Sequence, residues 1–482
     1  MVHGGDAGRS RRRTLLAAAL GAAVAAGGCR RAGAARPATQ AGVRTVPVQL
    51  HVQAPASATV QGLVQGHLDV GWNARHRGVR LVYQPWGDMP AVVASLTAGA
   101  GPWIIAGCCY DFATAMPFLA PLDAELRRDN LSTGLWSAGQ LETFRLASGL
   151  FAVPAYTAAQ VYFYRQDILD RLGLSYPDPA WTYRDAESLW RRCAGGSGTA
   201  RRYAATLSID PGDIAEGYGY LHGFGGAFLD ASRTRCLLGL PGSIRAGQWV
   251  FTQIWDRICT TGNIDGTGLN SGIASGSVVF SSGAGQAVLW AARNLGSGVK
   301  WDFIPFPRWP VRRAAGVNSD FYGLSNLAPD QALAWEIFRY VTLDPNWNDF
   351  VMRLTLQQPA LVDQWDRWEA VVRAAAPVLR GKRLGYWREA AVRGEGYGVQ
   401  FFKYQPLQAI TLLDATWRRL WARQIGVQTA FVTIADQIDA LQASASHGGP
   451  GPDGAQLVAA ARLRLRRLRR MFAGGAGAAA SG

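Results

Sequence analysis

The stretch from Gly149 to Trp190 is an ordered run of backbone signals, and it constrains the fold more than any other part of the chain. Phe151-Ala152-Val153-Pro154 reads as a short strand ended by proline, whose nitrogen carries no ladder N–H. Val161-Tyr162-Phe163-Tyr164 is a continuous apolar and aromatic run, the pattern of a strand buried on both faces. Asp167 is placed to cap a short helix carrying Ile168, Leu169 and Leu172, and Gly173 stands where a left-handed stop belongs. Pro177 and Pro179 keep the chain extended. Thr182-x-x-Asp185 then has the form of a capping box opening a second helix towards Leu189 and Trp190.

The same alternation runs through the amino-terminal third. Val46 to Val52 alternates as a strand, Ala58–Leu68 suits a helix, and Val79–Tyr83 is a second strand. Met89–Ala98 is a helix stopped by Gly99-Ala100-Gly101, and Trp103–Ala106 is a third strand. Strands and helices of these lengths in alternation predict a parallel α/β sheet.

The strand–helix–proline–tryptophan–helix order resembles the middle of the extracellular solute-binding proteins of family 1, the carbohydrate-binding subunits of ABC importers. Tyr164-Arg165-Gln166-Asp167 stands where that family has Tyr-Asn-Lys-Asp, so the Asn is missing. Pro179-Ala180-Trp181-Thr182 stands for Pro-x-Thr-Trp with the last two swapped. Residues 98–123 are similar to the family's first-lobe segment, with Trp103 at a usual Asp. Gly225–Asp230, Ser275–Trp290, Asp302–Pro307, Gly316–Pro329 with the Ala332–Val341 helix, and Asp414–Leu441 follow in the family's order. The resemblance covers about residues 45–442. It implies an α/β, periplasmic-binding-protein-like fold: two interwoven lobes with a hinge at Pro154-Ala155-Tyr156 and a ligand cleft between them.

The expected boundaries are an export leader over 1–29, a tether over 30–45, and a first lobe over 46–154 to which about 311–345 return. The second lobe spans 155–310, joined in part by about 346–442. A linker over 443–454 leads to a basic amphipathic tail over 455–482. In the leader, Ser10–Leu16 is a basic stretch with a twin-arginine look, and Leu15–Ala26 is too short to span a bilayer comfortably. Ala26-Gly27-Gly28-Cys29 resembles a lipobox, so Cys29 is the expected lipidation site; the plainer alternative is a cleaved leader with an incidental cysteine.

The net charge of +15 does not argue for nucleic acid. Residues 1–36 hold +6 and 451–482 hold +5, so eleven of the fifteen charges sit in the two ends and the body carries +4. A nucleic-acid domain spreads its charge over a folded face. The tail alternates Arg with Val458, Ala461, Leu465, Leu468 and Phe472; it reads either as a solvated extension or as a helix for anionic headgroups. Beyond Cys29 the cysteines are 108, 109, 193, 236 and 259, with no C-x-x-C pair or nearby His cluster for zinc; one pair among 193, 236 and 259 stays open.

A sugar site needs flat aromatic faces against C–H groups and polar groups for hydroxyls, largely preformed. The chain has 18 Trp and 15 Tyr, several at expected strand ends, where open α/β sheets bind ligands. The ligand-binding candidates are Trp86, Tyr110 and Asp111 from the first lobe, Tyr156 from the crossover, Tyr220, Trp290 and Tyr404 from the second lobe, and Tyr322 on the returning loop beside Asn318 and Asp320. His222 is the alternative to Tyr220, Asp111 is alternatively a helix cap, and Trp181 is a core residue.

The rival class is a secreted carbohydrate-active enzyme or a non-transport sugar sensor. No G-x-S-x-G elbow, Walker A loop, G-x-G-x-x-G after a strand, or H-E-x-x-H is present. Paired carboxylates for glycoside hydrolysis need not be adjacent in sequence and leave that rival open. The expected function is the substrate-binding subunit of an ABC importer, a non-enzyme with no cofactor or metal. What the resemblance implies as partners are a carbohydrate and the permease subunits; the protein is expected to be a monomer, exported and lipid-anchored outside the cytoplasmic membrane. Mono- and oligosaccharides and sugar phosphates all remain open as ligands.

Overall fold

The computed structural model describes residues 43–446, apart from 51, 53–56, 86, 88, 147, 210–213, 262–268, 284–286, 296–297, 393–395, 399–401 and 405. The leader with Cys29, the tether up to residue 42, and the chain after 446 lie outside the described residues. The described residues from Thr45 onward form one compact unit; of the other, Met1–Arg44, only 43 and 44 are described.

The first strand is β1 (Arg44–Leu50), whose Val46, Val48 and Leu50 are all fully buried. A helix follows over Ala58–Leu68, opened by Ser57, whose side chain accepts from Val60 N. β2 (Val79–Pro85), a helix over Met89–Thr97, and β3 (Ile104–Gly107) complete the first βαβ rhythm. β1 and β3 are parallel, with Val48 opposite Ile104. The short pair β4 (Arg145–Leu146) and β5 (Gly149–Leu150) leads to β6 (Ala152–Pro154), ended by proline as expected.

The chain then crosses through β7 (Ala158–Ala159) into β8 (Val161–Arg165). Every residue of β8 is buried, because both faces of this strand are covered. β9 (Tyr203–Ala205), β10 (Val278–Gly283) and β11 (Trp301–Ile304) join it in the order β11-β8-β10-β9. β12 (Ala315–Asn318) pairs with β7, and β13 (Phe321–Leu324) returns to the first sheet between β3 and β6. β14 (Gly396–Gly398) lies along β12.

These sheets are mixed, which corrects the all-parallel expectation. β13 is antiparallel to β3 and β6, and β8 is antiparallel to β10 and β11. The reason is the interweaving: a strand that returns from the other lobe enters the sheet from the opposite end.

Two hydrophobic clusters follow from this path. One gathers residues 46–153 with 321–347 and Leu361; the other gathers 159–317 with 352–438. Ala314, Ala315 and Val317 still pack in the second cluster, so the return to the first lobe comes at 318–320 rather than near 311. Fourteen tryptophans are buried in these cores, which accounts for most of the 18. Trp181, for example, is 4% exposed and its Nε1 donates to Pro305 O at 2.9 Å.

Several local expectations change. Asp167 does not cap its helix (Gln166–Arg171); its carboxylate pairs with Arg165 and Arg171. Gly173 is left-handed (φ 62) and Thr182 with Asp185 forms the expected capping box. The last helix runs Val427–Ser446, so the first four residues of the expected linker are helical. The five described cysteines are unpaired, and burial pushes the Cys193 and Cys236 thiols up to about 12. In the Gly225-Gly226 turn, a Cβ on Gly226 would lie 2.3 Å from Ser243 N, which only glycine avoids.

Candidate functional site

The chain passes between the two clusters at 154–159 and 318–321 and more than once over 348–364, where Leu361 packs with the first cluster and Met352, Leu356 and Trp365 with the second. These crossings are stitched to one another. Ala155 N donates to Asp320 O at 2.8 Å, Ser319 Oγ to Tyr156 O at 2.6 Å, and Thr157 N to Gln358 O at 3.2 Å. The single Thr157 hydroxyl proton is donated to Pro359 O at 2.6 Å, with Gln140 Oε1 3.1 Å from the same hydroxyl oxygen. Gln140, fully buried on the Ala138–Phe144 helix, thus braces the hinge.

The carboxyl end of β3 meets this hinge. The turn Cys109–Asp111 follows β3, and Asp111 Oδ2 accepts from Cys108 N at 3.0 Å. Asp111 therefore caps its own turn, not the Phe112–Ala115 helix after it. Cys108 and Cys109 place their sulfurs 3.8 Å apart. The Tyr156 hydroxyl is pushed well above its usual value by burial, then by the Asp320 charge and the two thiols. The Cys108 thiol is raised first by its bond to Cys109, then by burial and by Asp320 and Asp111. Two carboxylates, a phenol and two thiols are thus gathered at one strand end.

The second lobe brings a buried carboxylate to the end of β10. Glu216, on the Ile214–Gly223 helix, is fully buried. It accepts from Ser282 Oγ at 2.7 Å and from the Tyr220 hydroxyl, which lies 3.1 Å from the Tyr162 hydroxyl. Burial and then the Glu216 charge raise both tyrosines. This helix packs onto β12, where a Cβ on Gly219 would meet Ala314 O at 3.1 Å.

Three glutamines at the crossings stand out. Gln160, Gln357 and Gln358 are 4%, 2% and 1% exposed. Among the described residues, both amide atoms of Gln357 and Gln358, and Oε1 of Gln160, have no hydrogen-bond partner. A buried amide left unpaired costs about 1–3 kcal/mol, so such atoms gather where something else supplies their partners.

The sequence-predicted residues fall unevenly around this hinge. Tyr156 and Asp111 join it. Tyr322 lies on β13, 3% exposed in the first-lobe core, opposite Ala106 and Val153. Tyr220 is fully buried, its ring packed against Trp249, Phe306 and Trp309; it supports Glu216 from within the core. Trp290 sits on the Ala287–Asn294 helix, not on a strand, partly exposed and tilted against Phe163 at 6.1 Å. Tyr404 is partly buried, and its backbone is held at both ends by Gln442. Trp86 and the Tyr110 side chain lie outside what is described. Sequence reading passed over Ser319, Glu216, Ser282 and the three glutamines. A signal existed for two of them: Gln357-Gln358 directly before Pro359, in a segment expected to return between lobes.

Among the described residues, no group of three or more His, Cys, Asp or Glu side chains is placed to hold a metal, and no helix is long and apolar enough to cross a membrane. No protein-family model matches the sequence, and no curated protein matches it. Solved structures do match. The cyclic α-maltosyl-1,6-maltose binding protein of Arthrobacter globiformis is 17% identical with a TM-score of 0.67, covering 83% of this chain and 99% of that one. The sugar-binding protein MalE of Xanthomonas citri is 13% identical at 0.67, covering 83% and 98%. An ABC substrate-binding protein of Listeria monocytogenes, in complex with cycloalternan, is 12% identical at 0.65, covering 83% and 99%. The chain therefore has the two-lobed α/β fold of the substrate-binding proteins. Within that class its architecture is MalE-like.

Proposed function

We propose that this protein captures a carbohydrate between its lobes and presents it to the membrane permease of an ABC importer. The observation that carries this reading is the hinge: crossings that bring the buried Asp320, the partly buried Asp111, Tyr156 and unpaired glutamine amides together beside the strand ends. Carboxylates accept from sugar hydroxyls, amides both donate and accept, and tyrosine faces suit the ring's C–H side. Asp111, Tyr156 and Asp320 are the proposed contacts at the hinge, with Trp86, Tyr110 and Tyr322 from the first lobe and Trp290 and Tyr404 from the second. Tyr220 acts through Glu216.

Ligand bridging both lobes shifts the population towards a closed form, which the permease recognises. The matched structures are of binding proteins, which fits a protein that performs no chemistry on its ligand. Export and lipidation at Cys29 complete the proposal, holding a monomer at the outer face of the cytoplasmic membrane.

Calorimetry and thermal shift against linear and cyclic gluco-oligosaccharides, ketoses and sugar phosphates test this. A bound sugar at a hundredfold excess over Kd should stabilise the protein by about 2.7 kcal/mol. Asp320→Asn should weaken that sugar at least tenfold. Release of shortened products, or no shift with any sugar, defeats the transport reading.

A further inference from the structure

The outer end of the second lobe carries a cluster of arginines that the sugar cleft does not use. β9 and β10 are parallel, with Tyr203 opposite Val278 at their starts, while Ser282 lies at the far end of β10. The cluster gathers around Tyr203, at the end away from the cleft.

Its members are tied by contacts. Arg201 and Arg257 place their guanidiniums 5.4 and 6.0 Å from the Tyr203 ring, and Arg257 Nη2 donates to the Tyr203 hydroxyl at 3.0 Å. Arg201 also donates to Arg257 O. Arg202 Nε donates to Cys193 O at 2.7 Å, next to the exposed Arg192. Trp255 Nε1 donates to Leu420 O at 3.0 Å, and Arg423 lies 5.2 Å over the Trp255 ring. Among the described residues, none of these five arginines makes an ion pair, although Asp256 is exposed beside Arg257.

Two of them occupy unusual backbone. Arg257 (φ 57) follows the Pro241–Trp255 helix, and Arg423 (φ 54) follows the Pro406–Trp421 helix. Each closes its helix with paired bonds: Arg257 N to Ile254 O and Ile258 N to Gln253 O, both 3.0 Å, then Arg423 N to Leu420 O at 2.9 Å and Gln424 N to Arg419 O at 2.8 Å. That left-handed position is glycine's, since any Cβ there is strained. Cations do complement helix carboxyl ends, but here they do so twice, side by side, against backbone preference and without a carboxylate.

We propose that this end of the second lobe docks on anionic phospholipid headgroups. The exposed guanidiniums of Arg192, Arg257 and Arg423 offer N–H donors to phosphate, while Arg201 and Arg202, partly buried and bonded to backbone carbonyls, add positive charge behind them, and Trp255, partly exposed beside them, suits the headgroup level. The surface adds a second hold on the membrane, independent of Cys29 and of the carboxyl-terminal tail.

Co-sedimentation of the full chain with phosphatidylglycerol–phosphatidylcholine vesicles, at low and high salt, tests it. Binding should need the anionic lipid and fall at high salt. Each arginine near the surface contributes about fivefold in partitioning. The Arg257→Gly/Arg423→Gly variant should therefore bind about twenty-fivefold more weakly while its melting temperature holds or rises, since glycine relieves both positions. Arg192→Glu, at an exposed site, should repeat the loss. Equal binding by wild type and variants, equal binding to pure phosphatidylcholine, or a variant that loses binding only together with its melting temperature would each overturn the proposal. Millimolar inorganic phosphate should not displace the protein; displacement would mark a small-anion pocket instead of a membrane surface.

Discussion

His222 shows how one side chain couples burial to pH. Burial, and then the positive charge of Arg312, lower it from the ordinary 6.5 to about 4. The unfolded chain takes up this proton below about pH 6.5, the folded chain only below about 4. The unfolded state therefore binds more protons in that window, and stability falls as pH drops through it. Between pH 7 and 5 this one residue costs on the order of 2 kcal/mol. His222→Gln should remove that part of the acid loss, read as a smaller difference in melting temperature between the two pH values. An unchanged difference would place the acid sensitivity elsewhere, for instance at His67, which burial also lowers. Nothing in the sequence around His222 announces this. Its neighbours Tyr218 and Leu221 come from its own helix, but Arg312 is ninety residues away.

At the scale of elements, signals contained within a few residues were legible. Thr182 Oγ1 accepts from Asp185 N at 3.3 Å, and the Asp185 carboxylate accepts from Thr182 N at 2.8 Å, which holds that acid below its usual range. Thr182→Ala should cost about 1 kcal/mol, measured by chemical denaturation; a neutral result would mean that the neighbouring core alone sets this helix start. Where a side chain had a distant option, the local reading failed. Asp167 turns from its helix end to Arg165, whose Nη1 also reaches Ile273 O at 2.8 Å, a partner brought near only by folding. Trp290 lies on a helix, because the strand before it ends at Gly283.

At the scale of the molecule, the lobes are held by more than the crossings. Arg233, left-handed (φ 61) and 8% exposed in the second lobe, donates to Thr143 O at 3.2 Å, to Arg145 O at 2.8 Å and to Glu142 O. It thereby satisfies the carboxyl end of the first-lobe helix Ala138–Phe144. The hinge glutamines set the opposing term. Gln357→Met keeps the volume and removes an unpaired amide, so the empty protein should gain about 1 kcal/mol or more, while the sugar-induced shift should shrink. No change in either quantity would take the hinge amides out of the mechanism. The sequence by itself determined most of the elements and the order in which the chain visits the two lobes, because strand alternation, caps and prolines act over a few residues. Tertiary structure alone decided which carboxylates, amides and aromatics meet. Asp320 with Tyr156, Glu216 with Ser282, and Arg423 with Trp255 are neighbours only after the chain has crossed or folded back, and contact at such separations leaves no periodic trace in the sequence.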